Sequence, residues 1–480
     1  SVEIIKKYRP NALVSWNHAG DFWDWLGDHQ DLKEYVDYYS NEAHYLQANT
    51  RHTQYYKQSF TAKHLQNHGK PFQGHTPGHS SWHTFIMKPV NWLRLESAVS
   101  LAHGGSATIG VNVLPDGKVE PEEIKRLKPL FAQIKEKEGY VRDAEPVKDV
   151  AVLYSMSSAF AEGVRKDSPG FAQSGPRGFH MALVDGHQQF IILNEMDITE
   201  LQDYRLIIIP QQINLKESLI SQLTAYIKGG GNLLLTYETS LFNRKGKIRK
   251  NFALSEVMGI DFINYSPYSA NYAELNREME RGIVTYPLLF EKKAIQVNLK
   301  EAKPLGKIVY PEAERTEEKY YWPPYNYNPP YKKSDYPIIT LNRYGKGKCI
   351  YIAVPIGEEV GETNNSWLKQ LILNMVDNLL PEQLIETDAP AGVEIVLNRQ
   401  KERKRYILHL INHYVVTGGK ISLTDEKPIL GPININLNLN RIGKINRVYS
   451  LEKNINWRID KSWLRINISS MKTHSMVVIK

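Results

Sequence analysis

Leu101–Glu120, LAHGGSATIGVNVLPDGKVE, decides how the first part of the chain reads. Gly104-Gly105 leads into a short apolar run, Ala107 to Val113, and Pro115-Asp116-Gly117 turns the chain out of it. Pro121 then opens a helix, with Glu120, Glu122 and Glu123 at its positive end. Ile124, Leu127, Leu130, Phe131 and Ile134 follow at helical spacing. Strand, loop and helix form the unit of an α/β fold, whose chemistry sits in the loops beyond the strands' carboxyl ends. Asn112 falls in that loop, with Asp116 just after it. From these residues alone, an ordinary β-turn before a helix is the simpler reading.

Upstream, the same placement recurs. Asn11 to Trp16 reads as a strand ending in Asn17 and His18, and Tyr35 to Ser40 as another, followed by Glu42 and His44. A polar helix near 51–68 leads to a short strand, Lys70-Pro71-Phe72. A long loop, Gln73 to Phe85, carries His75, His79 and Trp82 before the helix Val90 to His103. Polar residues after successive strands are what the active face of a (β/α)8 barrel requires. About four strands are visible before residue 140 where a closed barrel has eight, so residues 1–143 read as the C-terminal part of a TIM-type barrel. The chain starts at Ser1, and an upstream segment or a removed signal peptide is expected.

Downstream of a polar linker at 143–148 the pattern becomes clean βα alternation. Apolar runs at 150–155, 190–195, 204–210 and 232–238 alternate with helices reaching His187 and covering Ser218 to Lys228, which predicts a parallel sheet covered on both faces. The order suggests a flavodoxin-like domain over 149–385. Gly229 to Gly231 end a helix and are not a phosphate loop, and no nucleotide-binding glycine pattern occurs. The proline-broken stretch Tyr320 to Tyr331, YYWPPYNYNPPY, is either an ordered aromatic loop or a disordered tip, and its Trp and Tyr favour the loop. Residues 388–480 alternate in short strands without helices, with a hairpin near Gly418-Gly419, and predict a β-sandwich.

Composition narrows the function. With 42% hydrophobic and 23% charged residues, the chain is an ordinary soluble globular one, and no apolar run reaches the ~20 residues that span a bilayer. The net charge of +8 is spread along the chain, so no nucleic-acid partner is expected. The single cysteine, Cys349, lies in an apolar strand and reads as core rather than nucleophile, which excludes an amidotransferase. His75, His79 and His83 recur every four residues, but Pro77 and Gly78 break the helix a metal site of that spacing needs, so no metal or other cofactor is expected. Asp37 and Glu42, five residues apart around a strand end, are the candidate catalytic carboxylates. Each also has a structural reading, as a strand cap or an ion-pair partner.

Two families resemble parts of this sequence. Residues 3–20, EIIKKYRPNALVSWNHAG, and HGGSATIGVNVLPDGKVEPEEI (103–124) look like the nucleophile-bearing unit and the last barrel strand of α-L-fucosidases of glycoside hydrolase family 29. Residues 149–385 resemble the β-galactosidase trimerisation domain, a flavodoxin-like module. Together these imply a glycoside hydrolase acting on fucosides or galactosides, with carbohydrate as substrate, no membrane partner, and a homo-oligomer, trimer or dimer. It would be soluble, in the cytoplasm or exported. Asn17 stands where the fucosidase pattern has its nucleophilic Asp, and an amide cannot form the glycosyl ester. Gln73-Gly74-His75-Thr76 stand where the β-galactosidase pattern has a Glu. The resemblance therefore leaves Glu42 as general acid/base, Asp37 as its partner or the nucleophile, and Asn17, His18, His44, His75, His79, Trp82 and Asn112 to hold the sugar. The alternative is a catalytically inactive carbohydrate-binding protein on a glycosidase frame.

Overall fold

The structure is a computed structural model that describes residues 2–15, 17–18, 33–41, 56–79, 86–165, 174–198, 200–313, 328–414, 425–452 and 455–480. Two compact units divide the chain. The first holds residues 1–147, 187–191 and 384–480, and the second holds 148–186 and 192–383.

The first unit contains a small α/β layer. Helix α1 (Val2–Tyr8) precedes strand β1 (Asn17–His18), and β2 (Tyr39–Asn41) precedes helix α2 (Lys57–Leu65). Then come β3 (Phe72–Pro77), α3 (Val90–Ala102), β4 (Ser106–Gly110) and α4 (Pro121–Val141). The four strands are parallel and lie in the order β1-β2-β3-β4. Pro71 and Pro77 bracket the pairing of β3, as expected where a ladder loses its N–H donors. The strand expected at 70–72 instead runs from Phe72 to Pro77 and takes in Gln73 and His75 from the expected loop. Likewise β4 ends at Gly110, three residues short of the predicted Val113, which sits in an isolated bridge with Val119 around the turn at Leu114–Gly117. α4 opens as read: Pro121 occupies its first turn and the Glu120 side chain accepts from the Glu122 N–H.

The rest of this unit is two antiparallel sheets. One orders Ile385–Thr387, Ile433–Asn438, Trp463–Ile468 and Asn456–Asp460; the other orders Val448–Ser450, His474–Ile479, Arg405–Asn412, Val393–Gln400 and Glu145–Pro146. Ile395, Leu397, Leu408 and Leu410 from one sheet meet Ile433, Ile435, Leu464 and Ile466 from the other in one buried core. The back of the five-stranded sheet is covered too: Val396 and Ile411 pack on Trp92, Leu95 and Val99 of α3. That double burial puts apolar residues on both faces of its central strands.

The second unit is built on a nine-stranded sheet. Val150–Tyr154, Phe190–Asn194, Leu206–Ile209, Asn232–Thr236 and Gly347–Ile352 lie in the spatial order 2-1-3-4-5, the flavodoxin-like order. Four antiparallel strands between 271 and 344 extend it past Gly347–Ile352. The helix Glu217–Gly229 ends on Gly230 at φ 118°, the left-handed cap that the glycine run suggested. Cys349 is buried in its strand, and burial pushes its thiol far up, away from any nucleophilic role. Most of the aromatic stretch (320–327) and the Gly418-Gly419 hairpin lie outside the described residues. Among the described residues no helix is long and apolar enough to cross a membrane, and no His, Cys, Asp and Glu group has metal-site geometry.

Candidate functional site

Alternate residues of a strand face opposite sides of its sheet, so the four short parallel strands divide their side chains into two sets. One set packs under the helices. Tyr39 and Phe72 join Val36, Ala62 and Leu65 in a buried cluster. Thr76 bonds the carboxylate of Glu96 on α3, which is held by Lys88 at 3.1 Å, all three fully buried or nearly so.

The other set is polar and half-buried. Gln73 donates from Nε2 to Ser40 Oγ (2.9 Å), and Thr108 donates from Oγ1 to Gln73 Oε1 (2.8 Å). A hydrogen-bonded row thus runs across β2, β3 and β4. Asn17 of β1 occupies the register position beside Ser40 and extends the row's line in the backbone. His75 lies one pleat further toward the carboxyl end, in register with Thr108. Its ring fills the space above Gly110, where a Cβ would lie only 2.8 Å from Nε2. A hydroxyl, an amide and an imidazole side by side at a sheet's carboxyl end can fix the hydroxyls of a sugar. They cannot perform paired-carboxylate chemistry, because no residue of the four strands is acidic.

The sequence-predicted residues divide accordingly. His75 belongs to this face. Ser40, Gln73 and Thr108, its partners, were not singled out from the sequence, although Gln73/His75 and Ser106/Thr108 share a period of two that signals one strand face. His18 is the last residue of β1, and Asn112 is half-buried two residues beyond β4. His79 is not presented to the face. It is buried 3.7 Å from Glu123 of α4's first turn, where Arg126 stands 4.0 Å from the other carboxylate oxygen. Gly78 is tight against that carboxylate: a Cβ there would lie 2.5 Å from Glu123 Oε1. Glu42, His44 and Trp82 lie outside the described residues.

Asp37 is where the expectation fails. β2 starts at Tyr39 and not at Tyr35, so Asp37 stands before the strand, at the amino end of the sheet. Its Oδ2 accepts from Lys6 Nζ (2.8 Å) and from the Val14 N–H (2.7 Å). The Lys6 bond first, then the Val14 bond, holds the carboxyl below its usual range. Asp37 thus anchors α1 and the segment before β1.

Against known proteins, residues 148–380 match the family described as "Beta-galactosidase trimerisation domain". The Beta-galactosidase GalA of Bacillus licheniformis is 25% identical over 196 residues, 35% of this chain and 27% of that protein. Among solved structures, the Alpha-L-fucosidase isoenzyme 2 from Paenibacillus thiaminolyticus superposes with a TM-score of 0.81 at 22% identity, over 100% of this chain and 69% of that one. The beta-galactosidase from Bacillus circulans sp. alkalophilus gives 0.69 at 18% identity, over 100% of this chain and 65% of that one. The fold is therefore one found in glycosidases. The chain spans about two thirds of the length of these solved structures, and the sequence match covers little more than a quarter of the curated relative.

Proposed function

We propose that this chain belongs to a glycoside hydrolase acting on fucosides or galactosides, with the polar face of the small parallel sheet as its sugar-binding surface. Residues 1–143 then form the C-terminal part of its (β/α)8 barrel, followed by the trimerisation-type module and the β-sandwich. The observation that carries this reading is the Ser40–Gln73–Thr108 row with His75, polar and half-buried toward the carboxyl ends of parallel strands. Sugar hydroxyls are assigned to His75 and, from the sequence, to His18, His44, Trp82, Asn17 and Asn112. Glu42, next in sequence after the carboxyl end of β2, serves as general acid/base. The fold shared with an α-L-fucosidase and β-galactosidases supports the substrate class.

A second reading has one observation in its favour. Asn17, in line with the polar row, cannot be a nucleophile, so the same face can bind a sugar without cleaving it. Hydrolysis of aryl α-L-fucoside and β-D-galactoside by wild type and Glu42→Gln separates the two. Turnover lost by about 10²–10⁴-fold in a folded Glu42→Gln variant supports the hydrolase and its acid/base. Turnover unchanged by the substitution removes Glu42 from the mechanism. Saturable sugar binding without turnover, weakened by His75→Ala, establishes the binding protein instead.

A further inference from the structure

The outer face of the sandwich's four-stranded sheet departs from strand chemistry in two ways at once. Ile433–Asn438, Trp463–Ile468 and Asn456–Asp460 pair side by side, and Ile433, Ile435, Leu464, Ile466 and Ile468 turn into the core. The residues between them face outward, in a grid that the register fixes. Asn434, Asn467 and Asn456 form one line across the three strands, and Asn436, Arg465 and Arg458 form the next. Neighbours in such a grid stand about 5 Å apart across strands and about 7 Å apart along them. Asparagine is depleted in strands because its short amide competes for backbone bonds, yet four occur here on adjacent strands. Like charges directly opposite each other are disfavoured, yet Arg458 faces Arg465.

The face is also arranged to receive something. Asp388 accepts from the Asn434 N–H and from its Nδ2, both at 2.7 Å, and Asn467 Nδ2 donates to Asn434 Oδ1 at 2.9 Å, so this line of amides is oriented in advance. The side chains of Asn436 and Asn456 form no hydrogen bond among the described residues. Arg465 is met by Asp460 at 2.8 Å, whereas Arg458 makes no ion pair among the described residues. The six side chains line a shallow groove of about 420 Å³.

An amide carries a donor and an acceptor side by side, which is what adjacent sugar hydroxyls ask for, and a guanidinium presents a planar fork to a carboxylate or sulfate. We infer that this face binds an anionic glycan strand, its hydroxyls on the asparagines and its acidic group between Arg458 and Arg465. This site shares no residue with the parallel sheet's carboxyl end and stands whether or not the chain cleaves glycosides.

Affinity electrophoresis tests it, with the whole chain run through gels containing polygalacturonate, dextran sulfate or uncharged dextran. Wild type is retarded by the polygalacturonate or the dextran sulfate, the responding gel identifying carboxylate or sulfate, and is not retarded by dextran. Arg458→Glu weakens that retardation by about tenfold or more. Lys404→Glu, the same charge change in an exposed turn, leaves it intact. Asn456→Ala weakens it without altering charge, and serves alone if Arg458→Glu does not fold. Equal retardation of Arg458→Glu and Lys404→Glu reduces the effect to net charge and overturns the proposal, as does no retardation in either anionic gel. A DNA duplex whose binding depends on Arg458, with no response to the glycans, reassigns the face to nucleic acid and overturns it too.

Discussion

Gly74 shows how a single residue fixes the layer that carries the candidate site. It lies mid-strand on the face under α3, where a Cβ would fall 1.9 Å from Ser100 Oγ and 3.0 Å from Ser100 Cβ. Helix and strand approach this closely because the side chain is missing, and the Ser100 hydroxyl is held in place by Gln58 Nε2 at 3.0 Å. Gly74→Ala is expected to cost about 1–3 kcal/mol, read as a lower urea midpoint. In a Ser100→Gly background most of that loss should vanish. An equal loss in both backgrounds would mean that something other than the Ser100 contact limits position 74. The neighbouring residues were only partly legible. The sequence singled out His75, but KPF looked like a complete strand, so Gln73 and Ser40 were never placed on its face. Asp37 falls inside the strand expected from Tyr35 to Ser40, whereas β2 starts at Tyr39 and leaves Asp37 before it, bonded to Lys6 and Val14.

At the scale of elements, the strand Val393–Gln400 ties the α/β layer to the sandwich through one buried carboxylate. Glu394 accepts from Ser59 Oγ (2.6 Å) and pairs with His103 Nε2 (3.0 Å) through Oε1, pairs with His413 Nε2 (2.9 Å) through Oε2, and has Lys63 Nζ at 3.7 Å. Burial alone would push this carboxyl up. The His103 charge and hydrogen bond, the His413 bond and Lys63 outweigh that and hold it well below the usual range. A carboxyl depressed in the folded state contributes its full stability above the unfolded value, near 4.3, and loses it as pH falls below that value. Glu394→Gln should therefore cost about 3–5 kcal/mol at neutral pH and flatten the acid limb of the stability profile. A parallel acid limb in wild type and variant would remove Glu394 as its source. None of this was visible in the sequence, because Ser59, His103, Glu394 and His413 are brought together from separate segments. A helix contact in the second unit has a trace in the sequence that went unread: SGPRG and IGEEVG space their glycines by three and four residues. There a Cβ on Gly178 would meet the Gly357 carbonyl oxygen at 1.8 Å, so Gly178→Ala should lower the thermal midpoint sharply. An unchanged midpoint would show that the two helices can slide apart at little cost.

The whole molecule was legible as a succession of pattern periods more than as a site. Apolar βα alternation between 149 and 385 announces a parallel sheet whose strand order proves flavodoxin-like, and short alternating strands after 388 announce the two antiparallel sheets. What pattern alone does not convey is that the α/β layer, the segment 187–191 and the C-terminal strands make one compact unit, because the residues that join them, apolar and polar alike, are distant in sequence. The match of residues 148–380 to a trimerisation domain bears on assembly at this scale. Cyclic homo-oligomers repeat one interface around the ring, and the assembled state persists under dilution until the dissociation constant is reached. Sedimentation velocity across a hundredfold concentration range is expected to give a dominant species of about three times the 55.2 kDa chain, with a dimer as the lesser alternative. The same experiment on residues 148–383 alone asks whether the second unit carries the interface. Monomer from that fragment but trimer from the whole chain would move the interface to the first unit, and monomer from both would separate this chain's assembly from that of the family its central module matches.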